Sequence, residues 1–312
     1  MKTPEYFISC DWGTSNFRLK LVKSESLQII KEIATNKGIK VLYDAFLKQQ
    51  KLNQTDFFAD YLLSQVQLFP KEHQNSIIVS SGMITANIGL YEMSYSDMPF
   101  KDDGSSLNSK KIEFKNGLEI LLISGVKNEQ GMMRGEETQA IGLANYLDVS
   151  KENLLLLPGT HSKHITYKNG KFLDLKNFMT GELFEIISQK SILSNSILKT
   201  EKIIDNTFIE GVKFGSQGKL TSNLFSIRAN DLLGKCTKEE NYYFLSGLLI
   251  GDELSYLKNA KEKVFLACPY PLATLYKMAL DHIIGSEKYV LFDAKTTEKS
   301  ILIGQKKILT QI

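Results

Sequence analysis

Two short polar segments of the chain combine glycine, threonine and serine in a pattern that suits the binding of phosphate groups. The first, DWGTSNFRL, starts at Asp11 and separates two β-rich runs. Gly13 lets backbone N–H groups approach an anion closely, and Thr14, Ser15 and Asn16 add short donors. Asp11, at the end of the first run, is suited to hold Mg²⁺ through water, because bound Mg²⁺ retains several waters. An ordinary Asp-Gly hairpin turn is the alternative interpretation of this segment alone.

The second segment, PGTHSKH at residues 158–164, repeats the Gly-Thr-polar pattern after another apolar run. We expect its turn to form a second phosphate cradle from Gly159, Thr160, His161 and Ser162. The HxxH spacing is also found in zinc sites, but no third ligand lies nearby in the sequence. Because side chains alternate along a strand, positions 162 and 164 share one face and 161 and 163 the other, and the pattern does not say which pair packs inward.

Between these segments, GMMRGEETQAIG at residues 131–142 places two acids at the predicted start of a helix. A kinase that phosphorylates an alcohol needs a carboxylate to accept the hydroxyl proton, and Glu136 or Glu137 can do this. The helix N-terminus is expected to keep that carboxylate ionised by lowering its pKa. Arg134 can pair with a substrate carboxylate in a bidentate manner. An acid pair that only interacts with the helix dipole is the alternative.

Three further segments carry polar side chains that suit a sugar acid. In SGMITANIG, Thr85 and Asn87 are candidates to bind hydroxyl groups or to shape the turn. In FMTGELFE, Thr180 is expected to cap a helix, with the acid of Glu182 in its first turn. The segment SIRAN adds one more basic side chain, Arg228.

The order of apolar runs indicates the elements that position these side chains. Strands are expected at 6–9, 17–22, 27–33, 76–81, 118–124, 154–158, 263–267 and 289–292. Helices are expected within 41–68 and at 136–147, 181–197, 204–214 and 239–258. An Asn-Gly pair at 169–170 predicts a hairpin tip. Because the strand, Gly-Thr turn and strand pattern occurs twice, we expect two similar α/β halves that meet near residue 148.

Composition and missing motifs exclude several classes of protein. The net charge of +3, from 38 basic and 35 acidic residues, is too small and too scattered for a nucleic-acid surface. The three cysteines show no CxxC spacing, which favours reduced thiols over zinc or disulfides and predicts a cytoplasmic protein. No apolar run approaches a membrane span, and no signal-peptide pattern is present. Neither a GxxxxGK[ST] phosphate loop nor a GxGxxG fingerprint occurs.

In combination, the segments resemble those of the 2-dehydro-3-deoxygalactonokinase family. They occur in the family's order and rough spacing, from residue 11 to about residue 254, as DWGTSNFRL, SGMITANIG, MRGEETQAIG, PGTHSKH, FMTGELFE, SIRAN and FLSGLLIGDEL. The resemblance implies an α/β protein of two ribonuclease H-like (actin-like ATPase) domains, with mixed sheets flanked by helices and the active site in the cleft between them. Residues 1–147 would bind the sugar acid and phosphate, and residues 148–312 would bind ATP.

The implied reaction transfers the γ-phosphoryl group of ATP, with Mg²⁺, to the C6 hydroxyl of 2-dehydro-3-deoxy-D-galactonate in D-galactonate catabolism. Related carbohydrate kinases use an aspartate after a glycine as the base, so the resemblance assigns that role to Glu136, with Glu137 as the alternative. The sugar acid would be oriented by a set of polar residues, namely Thr85, Asn87, Arg134, Thr180, Gly181, Glu182 and Arg228.

The C-terminal part departs from the pattern of actin-like kinases, which usually have a glycine-rich turn after a late strand to hold adenine. Here that place has the sequence FLACPYPLATLY, so base contacts are expected from Gly247, Gly251 and the helix after Pro271. A kinase for another sugar or keto-deoxy sugar acid, and a sugar sensor without catalysis, are the alternative functions. A homodimer is possible for this class, whereas no nucleic-acid or membrane partner is expected.

Overall fold

The computed structural model describes residues 3–311, which divide into two compact units. The first unit comprises the chain up to Ser150, the segment 167–175 and the residues from Lys295 onward. The second comprises residues 151–166 and 176–294. The division differs from a single cut near residue 148, because the C-terminal helix and a hairpin tip group with the N-terminal part of the chain.

The helices and strands follow one another in two similar series. Up to residue 150 the chain forms β1 (Tyr6–Trp12), β2 (Phe17–Lys23), β3 (Gln28–Thr35), α1 (Ile39–Phe46), α2 (Gln54–Val66), β4 (Ile78–Gly82), β5 (Ser96–Asp97), β6 (Phe100–Lys101), β7 (Ser109–Glu113), β8 (Glu119–Ile123), β9 (Val126–Lys127), β10 (Met132–Met133) and α3 (Glu136–Leu143). It continues with β11 (Asn153–Leu157), β12 (Ser162–Lys168), β13 (Lys171–Phe178), α4 (Thr180–Lys190), α5 (Asp205–Gly215), α6 (Leu220–Leu232), α7 (Lys238–Leu254), β14 (Lys263–Leu266), α8 (Leu272–Ile283), β15 (Tyr289–Leu291) and α9 (Ala294–Leu309).

The main sheet of the first unit has the strand order β3-β2-β1-β4-β8-β7. Strands β1, β4 and β8 are parallel, while β2 is antiparallel to both β1 and β3. One face of this sheet packs on α2, where Phe58, Leu62 and Val66 are buried at helical spacing beside Trp12. This order, with the second strand reversed, is the topology of a ribonuclease H-like fold.

The second unit repeats the order with β13-β12-β11-β14-β15, in which β11, β14 and β15 are parallel. Its core is formed mainly by α5, α7 and α8 packed on these strands. The outer part of the β12–β13 hairpin groups with the first unit, where Phe172 pairs with Phe100 of β6. The predicted hairpin tip is confirmed: Asn169 and Gly170 both have positive φ. The expected two-fold α/β repeat is therefore confirmed.

Helix α6 has no counterpart among the sequence expectations. Its apolar residues do not form a buried stripe: Ile227 is its buried residue, while Phe225 and Leu232 are largely exposed. The expected helix at 181–197 ends earlier, at Lys190, and is followed by a short 3-10 turn. Of the helices in the described chain, none combines the length and apolarity needed to cross a bilayer.

Candidate active site

The first candidate phosphate turn, residues 13–16, is held by the start of helix α1. The backbone N–H groups of Gly38, Ile39 and Lys40 donate to the carbonyl oxygens of Ser15, Gly13 and Thr14, at 2.9–3.2 Å. A side chain at Gly38 would clash, since its Cβ would lie 2.3 Å from the Thr14 carbonyl oxygen. The helix therefore fixes the carbonyl side of the turn, while the side chains of Thr14, Ser15 and Asn16 are exposed to solvent. Sequence analysis did not identify Gly38, although a lone glycine before an apolar helix indicates a close backbone contact.

Three separate segments meet at the carboxyl ends of β1 and β4. Trp12 and Gly82 are paired across these parallel strands, and a Cβ at Gly82 would lie 3.2 Å from the Trp12 carbonyl oxygen. A Cβ at Gly135, before α3, would lie 3.3 Å from Cα of Gly82. Both glycines have positive φ, +94° at Gly82 and +112° at Gly135, which favours glycine over other residues. The motifs DWGTSN, SGMIT and MRGEET are thus brought together by backbone contact, as expected at the carboxyl ends of parallel strands.

Two carboxylates lie in this region, Asp11 on β1 and Glu136 at the start of α3. Asp11 is partly buried opposite Arg18 of β2 and Ser81 of β4. Burial raises the pKa of Asp11, and the nearby charge of Glu136 raises it further, while Arg18 and Lys20 oppose the shift. Glu136 is partly exposed at the start of α3, and its carboxylate accepts a hydrogen bond from the Arg134 backbone N–H at 3.1 Å. The metal acid and the base predicted from sequence are therefore near neighbours.

Glu137 lies in a different environment from Glu136. Its side chain is fully buried, and both carboxylate oxygens lie within 2.9 Å of the Gly135 backbone N–H. Burial is the main cause that raises its pKa to about 8, with the Glu136 charge adding to the shift. The expectation that the helix N-terminus lowers the pKa is wrong for Glu137, because loss of hydration outweighs the dipole. The buried position favours Glu136 over Glu137 as the group open to a substrate.

Arg134 contacts the loop after β4 rather than open solvent. Its NH1 group donates to both oxygens of Thr85, at 2.7 and 2.5 Å, and NH2 donates to the Met93 carbonyl at 3.3 Å. Nε donates to the Tyr95 hydroxyl, and the guanidinium lies over the Tyr95 ring. Too few N–H groups remain for the bidentate carboxylate pairing expected from sequence. This arrangement makes Arg134 a brace that joins residues 85–95 to the start of α3.

The two candidate sugar-binding side chains of that loop have different positions. Thr85 is fully buried, and its hydroxyl is engaged by Arg134, Gly82 and Ile123. A direct role of the Thr85 side chain toward a sugar is therefore wrong, because the hydroxyl cannot be reached. Asn87, two residues later, has an exposed side chain, and its assignment stays a prediction.

The second candidate phosphate turn is held by helix α4 in the way that α1 holds the first. The Glu182 backbone N–H donates to the Thr160 carbonyl at 3.0 Å. A Cβ at Gly181 would lie 2.7 Å from the Gly159 carbonyl oxygen, so only glycine permits this approach. His161 is exposed on the turn, and its Nε2 pairs with the Glu182 carboxylate. The motifs PGTH and MTGE are thus one local structure.

Two side chains of these motifs point into the core instead. The hydroxyl of Ser162 is fully buried and lies 3.1 Å from the Tyr276 hydroxyl, so the expectation that Ser162 binds phosphate is wrong. His164, on the same face of β12, is also buried, while on the opposite face His161 is exposed and Lys163 is buried. Met179 rather than Thr180 occupies the N-cap position of α4, and the Thr180 hydroxyl donates to Glu253.

Gly247 and Gly251 belong to a helix–helix contact. On α7, a Cβ at Gly247 would lie 2.0 Å from the Phe208 carbonyl oxygen, and one at Gly251 would lie 2.4 Å from that of Val212. Both glycines are buried against α5. The expectation that they contact the nucleoside is wrong, because their missing side chains serve the close packing of α5 and α7. Arg228 lies on α6 and donates to the Ile192 carbonyl at 3.2 Å.

Within residues 3–311, no group of three or more His, Cys, Asp or Glu side chains is arranged to hold a metal ion. A site of that kind is not what Mg²⁺ requires, since this ion is commonly bound by one or two carboxylates together with water and substrate phosphates. Asp11, with Glu136 nearby, fits such a donor set.

Comparison with known proteins gives consistent findings. A family model described as 2-keto-3-deoxy-galactonokinase matches residues 11–302. The 2-dehydro-3-deoxygalactonokinase of Escherichia coli (strain K12) is 27% identical over 260 residues, which cover 81% of this chain and 80% of the relative. A crystal structure of a candidate 2-dehydro-3-deoxygalactonokinase from Sinorhizobium meliloti superposes with a TM-score of 0.82 at 26% identity, covering 98% of this chain and 97% of that one.

Proposed function

The chain belongs to the 2-keto-3-deoxy-galactonokinase family, and from that premise we propose that it transfers the γ-phosphoryl group of ATP to the C6 hydroxyl of 2-dehydro-3-deoxy-D-galactonate. The observation that carries the proposal is the meeting of Asp11, the turn 13–16 and Glu136 at the carboxyl ends of β1 and β4. Phosphoryl transfer to an alcohol needs these parts: donors for phosphate, an acid for the metal and a base for the hydroxyl.

We assign the proton transfer to Glu136. Its carboxylate is partly exposed and is oriented by the Arg134 backbone N–H, so it can accept the proton of the C6 hydroxyl as that oxygen attacks phosphorus. Glu137 is buried and instead fixes the backbone of Gly135. In this arrangement the two adjacent acids have separate tasks, one chemical and one structural.

We assign phosphate binding to each of the two turns. Thr14, Ser15 and Asn16 supply exposed polar groups in the first unit, and the Gly159–Thr160 turn against α4 supplies them in the second. Mg²⁺, held by Asp11 through water, would neutralise charge that develops on the phosphate oxygens. Asn87 remains the candidate for sugar hydroxyls.

The nucleoside needs a new assignment, since Gly247 and Gly251 are buried. We place it at the carboxyl ends of β11 and β14, because ligands of parallel sheets bind at this edge. Tyr270 lies in the loop between β14 and α8, and its side chain is 76% exposed. An aromatic ring at this position can stack on adenine.

The test of the proposed function is a coupled assay of ADP release with purified enzyme, ATP and Mg²⁺. We expect release with 2-dehydro-3-deoxy-D-galactonate and much less with its C4 epimer, with other keto-deoxy sugar acids and with neutral sugars. Faster release with another member of this panel would change the substrate assignment while retaining the kinase. Binding of the sugar acid without any ADP release would favour a sensor and contradict the proposal.

The base assignment has a separate test in the same assay. Glu136→Gln is expected to lower kcat by about 100-fold or more, since general-base catalysis contributes ~10²–10⁴-fold. Glu137→Gln retains the buried shape and is expected to keep most of the activity. Wild-type turnover by Glu136→Gln together with an inactive Glu137→Gln would move the role to Glu137.

A further inference from the structure

One buried carboxylate of the second unit has no part in the chemistry described above. Glu253 lies near the end of α7, in the segment FLSGLLIGDEL, and its side chain is almost completely buried. A buried carboxylate is strongly unfavourable unless hydrogen bonds replace its lost hydration. Glu253 accepts from three side chains: the Thr180 hydroxyl, the Tyr276 hydroxyl at 2.7 Å and His164 Nε2 at 2.9 Å.

The three donors come from three different elements around the second phosphate turn. Thr180 is the first residue of α4, directly before the glycine that lets this helix approach Gly159 and Thr160. His164 lies on β12, the strand that leaves the turn. Tyr276 lies on α8 and also contacts the Ser162 hydroxyl, at 3.1 Å. The strand that leaves the turn, the helix that packs on it and α8 are therefore all linked to one carboxylate.

Glu253 affects the pKa of neighbouring side chains. Burial together with the negative charge of Glu253 raises the pKa of Tyr276 well above its usual value and raises that of Cys268 to about 12. Both groups remain neutral at physiological pH, and the Tyr276 hydroxyl can donate to Glu253. On its far side His164 is fixed by the Tyr256 hydroxyl at 2.7 Å, so the imidazole cannot turn away from the carboxylate.

We propose that Glu253 is a positioning residue that holds the turn at residues 158–161 against the N-terminus of α4 in the geometry that binds ATP phosphates. The proposal rests on the proposed function, because it takes this turn as a phosphate cradle. Glu253 touches neither nucleotide nor sugar acid. It acts through Thr180, and through Tyr276 and Ser162, on the backbone of the turn.

The distinguishing variant is Glu253→Gln, which keeps the shape of the side chain. A neutral amide cannot accept three hydrogen bonds with one oxygen while its NH₂ group faces hydroxyl donors, so at least one link must break or reverse. We expect a rise of about tenfold or more in the Kd for ADP and in the KM for ATP. The KM for the sugar acid should change by less than about twofold.

A matched control lies on the same helix. Asn241 is also buried on α7 and donates to the carbonyls of Ser196 and Ile227, away from the turn. Asn241→Leu is expected to lower the Tm about as much as Glu253→Gln does, while the Kd for ADP stays at the wild-type value. A purely structural role for Glu253 predicts instead that both variants lose Tm and neither loses nucleotide affinity.

The measurement is a calorimetric titration of the full chain with ADP and Mg²⁺, which needs no sugar substrate. If Glu253→Gln does not fold, Tyr276→Phe removes one hydroxyl, retains the ring and is expected to weaken ADP binding several-fold. Wild-type ADP affinity in every folded variant of Glu253 and Tyr276 would overturn the proposal. Failure of the wild-type chain itself to bind ADP would instead contradict the proposed kinase function, so the two failures are distinguishable.

Discussion

Asp11 and Glu137 are both acids whose burial raises their pKa, but they lie in different surroundings. Asp11 lies at the end of a strand beside an exposed polar turn, whereas Glu137 is enclosed and bonded to its own backbone. Burying either charge lowers stability, and such a cost is commonly found at functional positions. Removal of the charge should therefore lower activity without loss of stability at Asp11, and change stability with little loss of activity at Glu137.

Asp11→Asn tests the proposed role of Asp11 in holding Mg²⁺. We expect kcat to fall by about 100-fold or more, because the phosphate and its ion lose their positioning group. The Tm should stay level or rise, since an amide at this position has no charge to bury. Parallel measurements of ADP release and thermal unfolding check both expectations, with the exposed Asp60→Asn as the control. Near-normal turnover by Asp11→Asn would remove Asp11 from the mechanism.

Glu137 should make stability depend on pH in a defined direction. Its pKa is 4.5 when unfolded and about 8 when folded, so between these values the folded state retains a proton that the unfolded state has lost. The free energy of unfolding therefore decreases as pH rises through this window, by up to about 1.4 kcal/mol per pH unit, and levels off above pH 8.

Urea unfolding at several pH values between 5 and 8.5 measures this slope. Glu137→Gln should flatten it, while Glu129→Gln, which changes an exposed acid, should not. Equal slopes for wild type and Glu137→Gln would show that Glu137 is not the titrating group.

At the scale of elements, glycine residues repeatedly allow one backbone segment to pack directly on another. Gly38 seats α1 on the first turn, Gly181 seats α4 on the second, and Gly82 contacts Gly135 between β4 and α3. The contacts of Gly38 and Gly181 are too close for a side chain, and the contact of Gly135 with Gly82 is tight, at 3.3 Å from the position of a Cβ. The two candidate phosphate turns are therefore positioned by equivalent contacts in the two halves of the chain.

Gly135→Ala should damage the site more than the fold. The new residue has to adopt φ near +112°, which costs roughly 1–3 kcal/mol, and its methyl group presses on Gly82. The start of α3 must shift, and Glu136 shifts with it, so we expect kcat to fall at least about tenfold. The control is Gly117→Ala, which has similar strain at φ +84° but open space around it. The prediction is confirmed if both variants lose a similar amount of Tm and only Gly135→Ala loses kcat. Equal kcat values in the two variants would contradict it.

Tyr270→Ala tests the edge formed by β11 and β14 as the nucleoside site. Stacking of a base on an aromatic ring contributes ~1–3 kcal/mol, so the KM for ATP should rise by about tenfold. Tyr270→Phe retains the ring and should behave as wild type. An unchanged KM for ATP in Tyr270→Ala would place adenine elsewhere. Thermal unfolding should be unaffected in both variants, because the side chain is exposed.

What the sequence predicts well at this scale is local. The strands, the Asn-Gly hairpin and the polar turns depend on neighbouring residues, and the structure has them where the patterns place them. The burial of Thr85 and Ser162 depends on partners such as Arg134 and Tyr276, which lie far away in sequence. The packing role of Gly247 is likewise set by Phe208 on another helix. A pattern of residue types does not contain such partners, so these roles were assigned incorrectly.

At the scale of the whole molecule, the C-terminal segment from Lys295 belongs to the same unit as the N-terminal part of the chain. After the second unit is complete, α9 packs on α3 within the first unit. A Cβ at Gly142 of α3 would lie 1.8 Å from the Ser300 carbonyl oxygen, and one at Gly304 of α9 would lie 1.9 Å from that of Thr138. The buried Gln305 next to this contact donates to the Cys10 carbonyl of β1. The last helix thus supports the helix that begins with Glu136.

Gly304→Ala tests this contact, because the contact and helix propensity predict opposite changes in Tm. Helix propensity alone predicts that alanine stabilises an α-helix by up to about 1 kcal/mol relative to glycine. The methyl group would instead overlap the Thr138 carbonyl and force α9 away from α3, so we expect the Tm to fall by several degrees. Because Glu136 lies at the start of α3, kcat should fall as well, while Lys295→Ala, an exposed change on α9, should alter neither quantity. Thermal unfolding and ADP release measured on both variants test this prediction. A rise in Tm for Gly304→Ala would mean that the α3–α9 contact is not tight enough to position Glu136, the proposed base.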